Sequence, residues 1–498
     1  MQQNILYILA DQQRIDMLGA YGHPMVQTPN IDKLAQDGIR FNQTYTPTSI
    51  CGPARTSLFT GHLPHVHGVE QNAENGRNRF AKADPVPHIP TFGDHLKDYD
   101  KIYLGKWHVA ESSLPSNYGF RGHDFPGYGY PGSGVYPNLV FNQGPGEPNR
   151  YREWLDEQNR PYPEVSEAFF GDNPHLQVQE LQGKLSGKPE DTIPAFLASE
   201  AIETLKNRQH LAHSSGAKKE NTPFFLWMNF WGPHTPCILP EPYYSMYDPK
   251  EIAEDPTFQE TFADKPLHHK RVSHMWGVHD LQWDQWAEIV ARYLGYITLI
   301  DHQIGRVLNY LEESGLAATT TVVYTADHGD AMGAHKLIEK GEFMYDETYR
   351  IPLIVRSPLN PQPGREVNAF TYLHDLFPTA MDLAGEHIPE RPQAKSLGPI
   401  IRGEVDTLGR DAVFGQFTGH FTDLNQRMIR TQSHKLVFNG PALGELYDLE
   451  NDPKETTNHI DNPAYALVKK TLINRLLQEC AEQGDWAEEW LSRIQEVY

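Results

Sequence analysis

The chain has 498 residues, 39% of them hydrophobic and 22% charged, with 22 Phe, 24 Tyr and 9 Trp; this is the composition of a folded globular protein and excludes disordered, collagen-like and coiled-coil readings. Lys plus Arg number 43 against 65 Asp plus Glu, a formal net charge of −22, which argues against nucleic acid as a partner and requires that an anionic substrate be drawn by a local cluster of cations or a metal. Three cysteines, Cys51, Cys237 and Cys480, cannot build a disulfide framework. No apolar run approaches the roughly 18 residues of a membrane span, so no membrane association is expected, and the first residues lack a secretion signal. A cytoplasmic location is expected, or a periplasmic or secreted one where a leader has been removed.

The first predicted element is the apolar, β-branched run Asn4–Ala10, which reads as a strand buried on both faces in a parallel sheet. It stops abruptly at Asp11-Gln12. A helix is predicted over Asn30–Asp37, closed by Gly38, and a helix start follows Cys51, where Pro53 suits the first turn and Arg55 lies one turn on. The strand pattern recurs at Lys101–Leu104 before Gly105-Lys106-Trp107-His108, at Pro223–Phe230 before Gly232-Pro233-His234, and at Thr319–Thr325 before Asp327-His328-Gly329. Residues 109–188, rich in Gly, Pro, Tyr and Asn, read as long surface loops walling a substrate pocket. Further helices are predicted at Ile193–Lys206, Leu281–Ser314 and Tyr372–Ala384. Strands alternating with helices give an α/β fold with a large, mostly parallel sheet, and in such sheets the carboxyl ends of the strands hold the ligand. After Gly385 the texture changes to turns, short strands at Arg427–Thr431 and Lys435–Phe438, and a helix near Tyr465–Glu482. We therefore expect a catalytic α/β domain over 1–385 and a smaller C-terminal α+β domain over 386–498.

A thiol at a helix N-terminus beside a cation is a candidate nucleophile. The segment Cys51-Gly52-Pro53-Ala54-Arg55, with Thr60-Gly61 after it, resembles the signature of the formylglycine-dependent sulfatases of the alkaline phosphatase superfamily. The resemblance extends through Asp11-Gln12, Thr28-Pro29-Asn30-Ile31-Asp32, Gly105-Lys106-Trp107-His108, Pro233-His234-Thr235-Pro236, Asp327-His328-Gly329, Glu339-Lys340-Gly341, Arg350-Ile351-Pro352-Leu353 and Glu445-Leu446-Tyr447-Asp448-Leu449. It implies an alkaline-phosphatase-like fold and a sulfate monoester as a small anionic substrate. It also implies that Cys51 is converted to 3-oxoalanine (formylglycine) by a maturation enzyme.

By the same resemblance, one divalent metal, Ca²⁺ before Mg²⁺ or Mn²⁺, would be held by Asp11, Gln12, Asp327, His328 and residue 51. Arg55, Lys106 and Lys340 would neutralise the sulfate and hold the residue-51 diol, His108 would take the proton in the elimination step, and His234 would assist the leaving alcohol. Asn72 is a candidate substrate contact, with His335 and Lys336 as further candidates. Gln12 and His328 stand where the commonest family pattern has Asp and Asn, and resemble the branch with phosphonate monoester hydrolases. The Lys106-x-His108 pair is the sulfatase form. Cys237 and Cys480 read as packing residues, and His62, His65 and His67 as structural or pocket-lining.

The resulting expectation is an exo-acting carbohydrate sulfatase, with a glycosaminoglycan 4-O- or 6-O-sulfate as one form of substrate and Trp107 and Trp231 as stacking platforms. The alternatives are an arylsulfatase or a phosphonate monoester or phosphodiester hydrolase of the same superfamily, and a non-catalytic sulfoglycan-binding protein. The oligomeric state, a homo-oligomer included, is open.

Overall fold

The computed structural model describes all residues except 1, 73–88, 110–112, 125–149, 162, 171–179, 216–221, 390–392, 421–423, 441 and 495–498. In chain order, β1 (Asn4–Asp11) leads through α1 (Pro29–Asp37) to β2 (Ile39–Tyr45) and α2 (Cys51–Thr60). Then come β3 (Asp100–Gly105), β4 (Arg121–Asp124), α3 (Arg150–Glu157), β5 (Val165–Phe170), β6 (Glu180–Leu185) and α4 (Ile193–Ser215). The middle of the chain carries β7 (Phe224–Pro233), β8 (Cys237–Leu239), α5 (Leu267–Met275), α6 (Trp283–Glu313), β9 (Thr320–Ala326), β10 (Arg350–Arg356), β11 (Arg365–Val367), β12 (Thr371–Tyr372) and α7 (Leu376–Ala384). The last elements are β13 (Ala412–Thr418), β14 (Asn425–Thr431), β15 (His434–Phe438), β16 (Glu445–Asp448), α8 (Ala466–Gln483) and α9 (Ala487–Ile494).

The large sheet runs β11-β2-β10-β9-β1-β7-β3-β4, with β12 also paired to β2. Strands β9, β1, β7, β3 and β4 are mutually parallel, and β10 is antiparallel to both neighbours. The sheet is mixed and mostly parallel, as expected. Its central strand shows why the sequence reads as a continuous apolar run. Leu6, Ile8 and Ala10 enter one core, with α1, α4 and α6, while Ile5, Tyr7 and Leu9 enter the other, with α2 and α7. With side chains alternating between faces and both faces covered by helices, every position must be apolar.

The C-terminal antiparallel sheet, β13-β14-β15-β16, is likewise apolar on both faces. Phe414, Ile429 and Leu436 pack under Leu472, Leu476 and Leu491 of α8 and α9, while Val413, Met428 and Val437 pack against Tyr45, Ile50 and Tyr349 of the preceding chain. Charge reinforces that join. Lys435 Nζ lies 2.5 Å from Asp346 and 2.6 Å from Glu455, and Lys454 Nζ lies 3.3 Å from both Asp16 and Glu347.

The expectation of long loops over 109–188 is corrected where residues are described. This stretch contains β4, α3 and the β5–β6 pair, and β6 also pairs with β8. Helix α3 forms because Tyr151, Trp154 and Leu155 fall on one face and pack on Phe196 of α4, the Trp154 and Phe196 rings 5.4 Å apart. The remainder of the expected pocket wall, 125–149 above all, lies outside the described residues. Cys237 and Cys480 are buried free thiols in the apolar clusters.

Candidate active site

Because β9, β1, β7 and β3 are adjacent and parallel, their carboxyl ends open on one edge of the sheet. Asp11 ends β1, Lys106 and His108 follow β3, His234 follows β7, and Asp327 and His328 follow β9. Two glycines make the approach close enough. A side-chain carbon at Gly105 (φ 97°) would collide with the Asn229 carbonyl oxygen, and one at Gly329 with that of Glu347.

Cys51 is the first residue of α2, and its thiol faces this edge with 1% of its surface exposed. Its Sγ is 3.0 Å from His328 Nε2 and 3.8 Å from Asp11 Oδ1. Asp11, Cys51, Asp327 and His328 are all buried, with one ligand atom each within 4.8 Å of the others. The His328 Nδ1 proton is donated to the Gly329 carbonyl at 2.9 Å, which leaves the Nε2 lone pair directed at residue 51. Two carboxylates and one such imidazole are a donor set suited to a divalent cation.

The cations around this group are equally buried. Arg55, one helical turn from Cys51, donates from Nε to Asp327 Oδ2 and from Nη2 to Asp11 Oδ2, each at 2.8 Å. Its Nη1 reaches the Lys106 carbonyl at 3.0 Å and Asn229 Oδ1 at 3.2 Å. Lys106 Nζ lies 2.5 Å from Asp11 Oδ2. Burial raises the Asp11 carboxyl, but Lys106 and Arg55 overcome it and hold the group well below the usual carboxylate range. Burial, then the charges of Lys106 and Arg55, keeps His108 neutral. Burial likewise lowers His328, against the pull of Asp327.

A second half of the site is organised by Lys340. Its ammonium donates to Gln12 Oε1 at 2.6 Å, His234 Nε2 at 2.8 Å and Glu339 Oε2 at 2.6 Å. Its neighbours leave it firmly protonated: burial lowers its pKa, but the Glu339 carboxylate, with Asp11 behind it, outweighs that and raises it. The Gln12 side chain, expected to ligate metal, turns its oxygen to Lys340 and its amide to Asp330 Oδ2 at 2.5 Å, while its backbone N–H donates to Asp327 Oδ1 at 3.0 Å. Glu339 also accepts from Thr235, which ties the loop after β7 to the loop after β9. Asn72 Oδ1 accepts from the Gly52 N–H at 2.9 Å, beside the nucleophile position.

Other candidates separate from the site. Trp107 is corrected from a stacking platform to a core residue: it is 1% exposed, meets Phe59 and Tyr103 edge-on at 5.2 and 5.0 Å, and donates its N–H to Ser113. Trp231 is half-buried at the site, with Lys106 Nζ 4.2 Å from its ring and the His234 ring 5.9 Å away at 30°. His335 stacks on Tyr345 at 3.8 Å, and Lys336 lies over Phe258. His67 meets Ser57, and His65 bonds Gln416 and Gln483. Asn229, Asp330, Glu339 and Thr235 were not anticipated as parts of the site. Asn229 had a visible signal, a lone polar residue in the run Trp227-Met228-Asn229-Phe230.

A family model described as "Sulfatase" matches residues 3–386, and one described as "N-sulphoglucosamine sulphohydrolase, C-terminal" matches 333–482. The chain is 30% identical to the sulfatase YidJ of Escherichia coli K12, over 95% of this chain and 86% of that one. It is 26% identical to an N-acetylglucosamine-6-O-sulfatase of Bacteroides thetaiotaomicron, over 96% and 86%. Among solved structures, the phosphonate monoester hydrolase of Agrobacterium radiobacter superposes with a TM-score of 0.75 at 26% identity, over 97% and 96% of the two chains. With its site at the carboxyl edge of an alkaline-phosphatase-like sheet, the chain belongs to the sulfatase family, and it is a sulfuric ester hydrolase.

Proposed function

We propose that the protein hydrolyses sulfate monoesters of small sulfated carbohydrates through a hydrated formylglycine at residue 51. The observation that carries this is the meeting of Cys51 Sγ with His328 Nε2 at 3.0 Å, inside a pair of buried carboxylates bridged by Arg55, with Lys106 on Asp11. In the unmatured chain the Sγ atom marks the position of a diol oxygen. Asp11, Asp327 and His328 would hold a divalent cation, Ca²⁺ in the first instance, with the imidazole also suiting Mn²⁺. When bound, such an ion lowers the pKa of a coordinated hydroxyl and polarises sulfate oxygens.

The protein's own groups supply the rest. One residue-51 hydroxyl, its proton lost to solvent, forms a bond to sulfur as the S–O bond to the alcohol breaks. Lys340 and His234, 2.8 Å apart, share a proton that can pass to the departing alkoxide. His108, kept neutral by burial and by Lys106, accepts the proton of the second hydroxyl; the C–O bond to sulfate then breaks, the aldehyde re-forms, and water restores the diol. Lys106 and Arg55 neutralise the charge that grows on sulfate. Trp231 is suited to stack on the ring that bears the ester, and Asn72 to orient residue 51 through Gly52. We assign this chemistry to a catalytic unit of residues 1–385 and place 386–498 in a C-terminal unit.

The relative named as an N-acetylglucosamine-6-O-sulfatase supports a sulfated sugar, with a glycosaminoglycan 4-O- or 6-O-sulfate as the first substrates to try. The test is a mass spectrum of the tryptic peptide Phe41–Arg55 after co-expression with a formylglycine-generating enzyme, followed by sulfate release from sulfated disaccharides. An aldehyde with turnover supports the proposal. A thiol, where a control sulfatase is matured, refutes it and leaves a sulfoglycan-binding protein. Gln12, His328 and the likeness to the Agrobacterium hydrolase favour a second reading, a phosphonate monoester or phosphodiester hydrolase. It would be adopted if an aryl phosphonate ester were cleaved faster than an aryl sulfate.

A further inference from the structure

Away from the catalytic edge, the first turn of α5 brings His268 and His269 against Glu445 of β16, all three buried, with one ligand atom each within 4.8 Å of the others. His269 has no exposed surface, and its Nε2 has no hydrogen-bond partner. Glu445 Oε1 lies 3.7 Å from it, too far for a hydrogen bond.

The surroundings of the group are polar. Tyr447 donates its hydroxyl proton to Glu445 Oε2, at 2.5 Å. The Tyr345 hydroxyl lies 3.2 Å from His269 Nδ1, which engages that nitrogen and leaves Nε2 as the ring atom that faces Glu445. His268 Nε2 lies 3.4 Å from the Gln426 amide nitrogen, which also donates to Asn439 Oδ1 at 2.6 Å. Two imidazoles and a carboxylate therefore converge in one buried group, with His269 Nε2 unpartnered.

We propose that His268, His269 and Glu445 form a second metal site, separate from the catalytic centre, for a transition ion of the Zn²⁺ class. Two imidazoles and one carboxylate form a recognised zinc donor set. The supports expected around such ligands are present: Tyr345 holds the distal nitrogen of His269, and Tyr447 and Asn439 Nδ2, the latter 2.8 Å from Oε1, orient Glu445. The ion would fasten α5, which belongs to the segment before β9, to the last strand of the C-terminal sheet.

The test uses the full chain, stripped with a chelator and reloaded with Zn²⁺ alone. After gel filtration, the wild type is expected to retain one more equivalent of zinc than His269→Phe or Glu445→Gln, by atomic emission. Both variants are expected to keep sulfatase activity when supplied with the catalytic metal. Equal zinc content in wild type and both variants overturns the proposal. Should the variants fail to fold, wild-type crystals soaked in Zn²⁺ decide the matter. An anomalous peak about 2.0–2.2 Å from His269 Nε2 and Glu445 Oε1 supports the site, and its absence overturns it.

Discussion

Arg55→Met keeps most of the side-chain volume and removes the guanidinium that joins Asp11 to Asp327. The two carboxylates do not suffer alike. Asp11 retains Lys106 at 2.5 Å, whereas Asp327 retains only the N–H groups of Gln12 and His328, both at 3.0 Å on Oδ1, and its Oδ2 loses its partner. The loss is therefore that of one broken buried ion pair and not two, about 3–5 kcal/mol. Unfolding entropy near 2.1 cal/mol/K per residue over 498 residues amounts to roughly 1 kcal/mol/K, so cooperative unfolding in the presence of a chelator should occur about 3–5 °C lower in the variant. A divalent cation placed between the carboxylates replaces part of the missing charge, and saturating metal should recover part of that difference. The assay is a thermal scan of both proteins with chelator and with Ca²⁺. A drop below about 1 °C in chelator, or a deficit unchanged by metal, would refute the account of Arg55 as the electrostatic keystone of the apo site.

Lys106→Ala and His234→Ala should each lower kcat on a sulfate ester by about 10²-fold or more, with folding preserved; turnover near the wild-type value removes the role assigned to that residue. Trp231→Ala should raise KM for a preferred sugar sulfate several-fold, the equivalent of about 1 kcal/mol of lost stacking, while leaving inorganic sulfate inhibition nearly unchanged; an unaltered KM would rule out the stacking role. Acid should destabilise the fold through histidines buried in the neutral state. Burial lowers His374 to about 4 from 6.5, so the unfolded chain binds the extra proton first; stability is full above pH 6.5 and falls as the pH drops towards 4, by on the order of 3 kcal/mol from this residue. His374→Phe should flatten the dependence of melting temperature on pH over that interval, and an unchanged slope would remove His374 from the explanation.

The central sheet was legible because burial on both faces forces an unbroken apolar run such as Asn4–Ala10, and because each such run stops at a polar residue in the site. Strand β16 was harder to read: Glu445-Leu446-Tyr447-Asp448 is four residues long and carries two acids, whose partners Asn439, Tyr447 and Tyr465 lie within 17 residues but come into reach only once the sheet and the segment leading into α8 have formed. Helix α3 was hidden because its neighbourhood is rich in Gly and Pro, although Tyr151, Trp154 and Leu155 have helical spacing. Residue type identified Gln12 as a polar group at the right strand end but could not say which way its amide would turn. That depends on Asp330 and Lys340, which lie 318 and 328 residues away. Trp107 misled for the opposite reason, since aromatic character alone does not distinguish a pocket wall from a core.

The contacts of Lys454 with Asp16 and of Lys435 and Glu455 with the Asp346 loop give the molecule a schedule as well as a shape. Asp16 and Lys454 are separated by 438 residues, so on a ribosome the loop after β1 waits for nearly the whole chain to be made before its electrostatic partner arrives. Until then that loop lacks its partner, and on the proposed maturation of residue 51 this is the interval in which a modifying enzyme would reach the thiol. Once Lys454 docks, the same contact marks the end of that interval. A slow translation step before codon 435 should therefore lengthen the time in which residue 51 can be oxidised, and a faster one should leave more of it as cysteine.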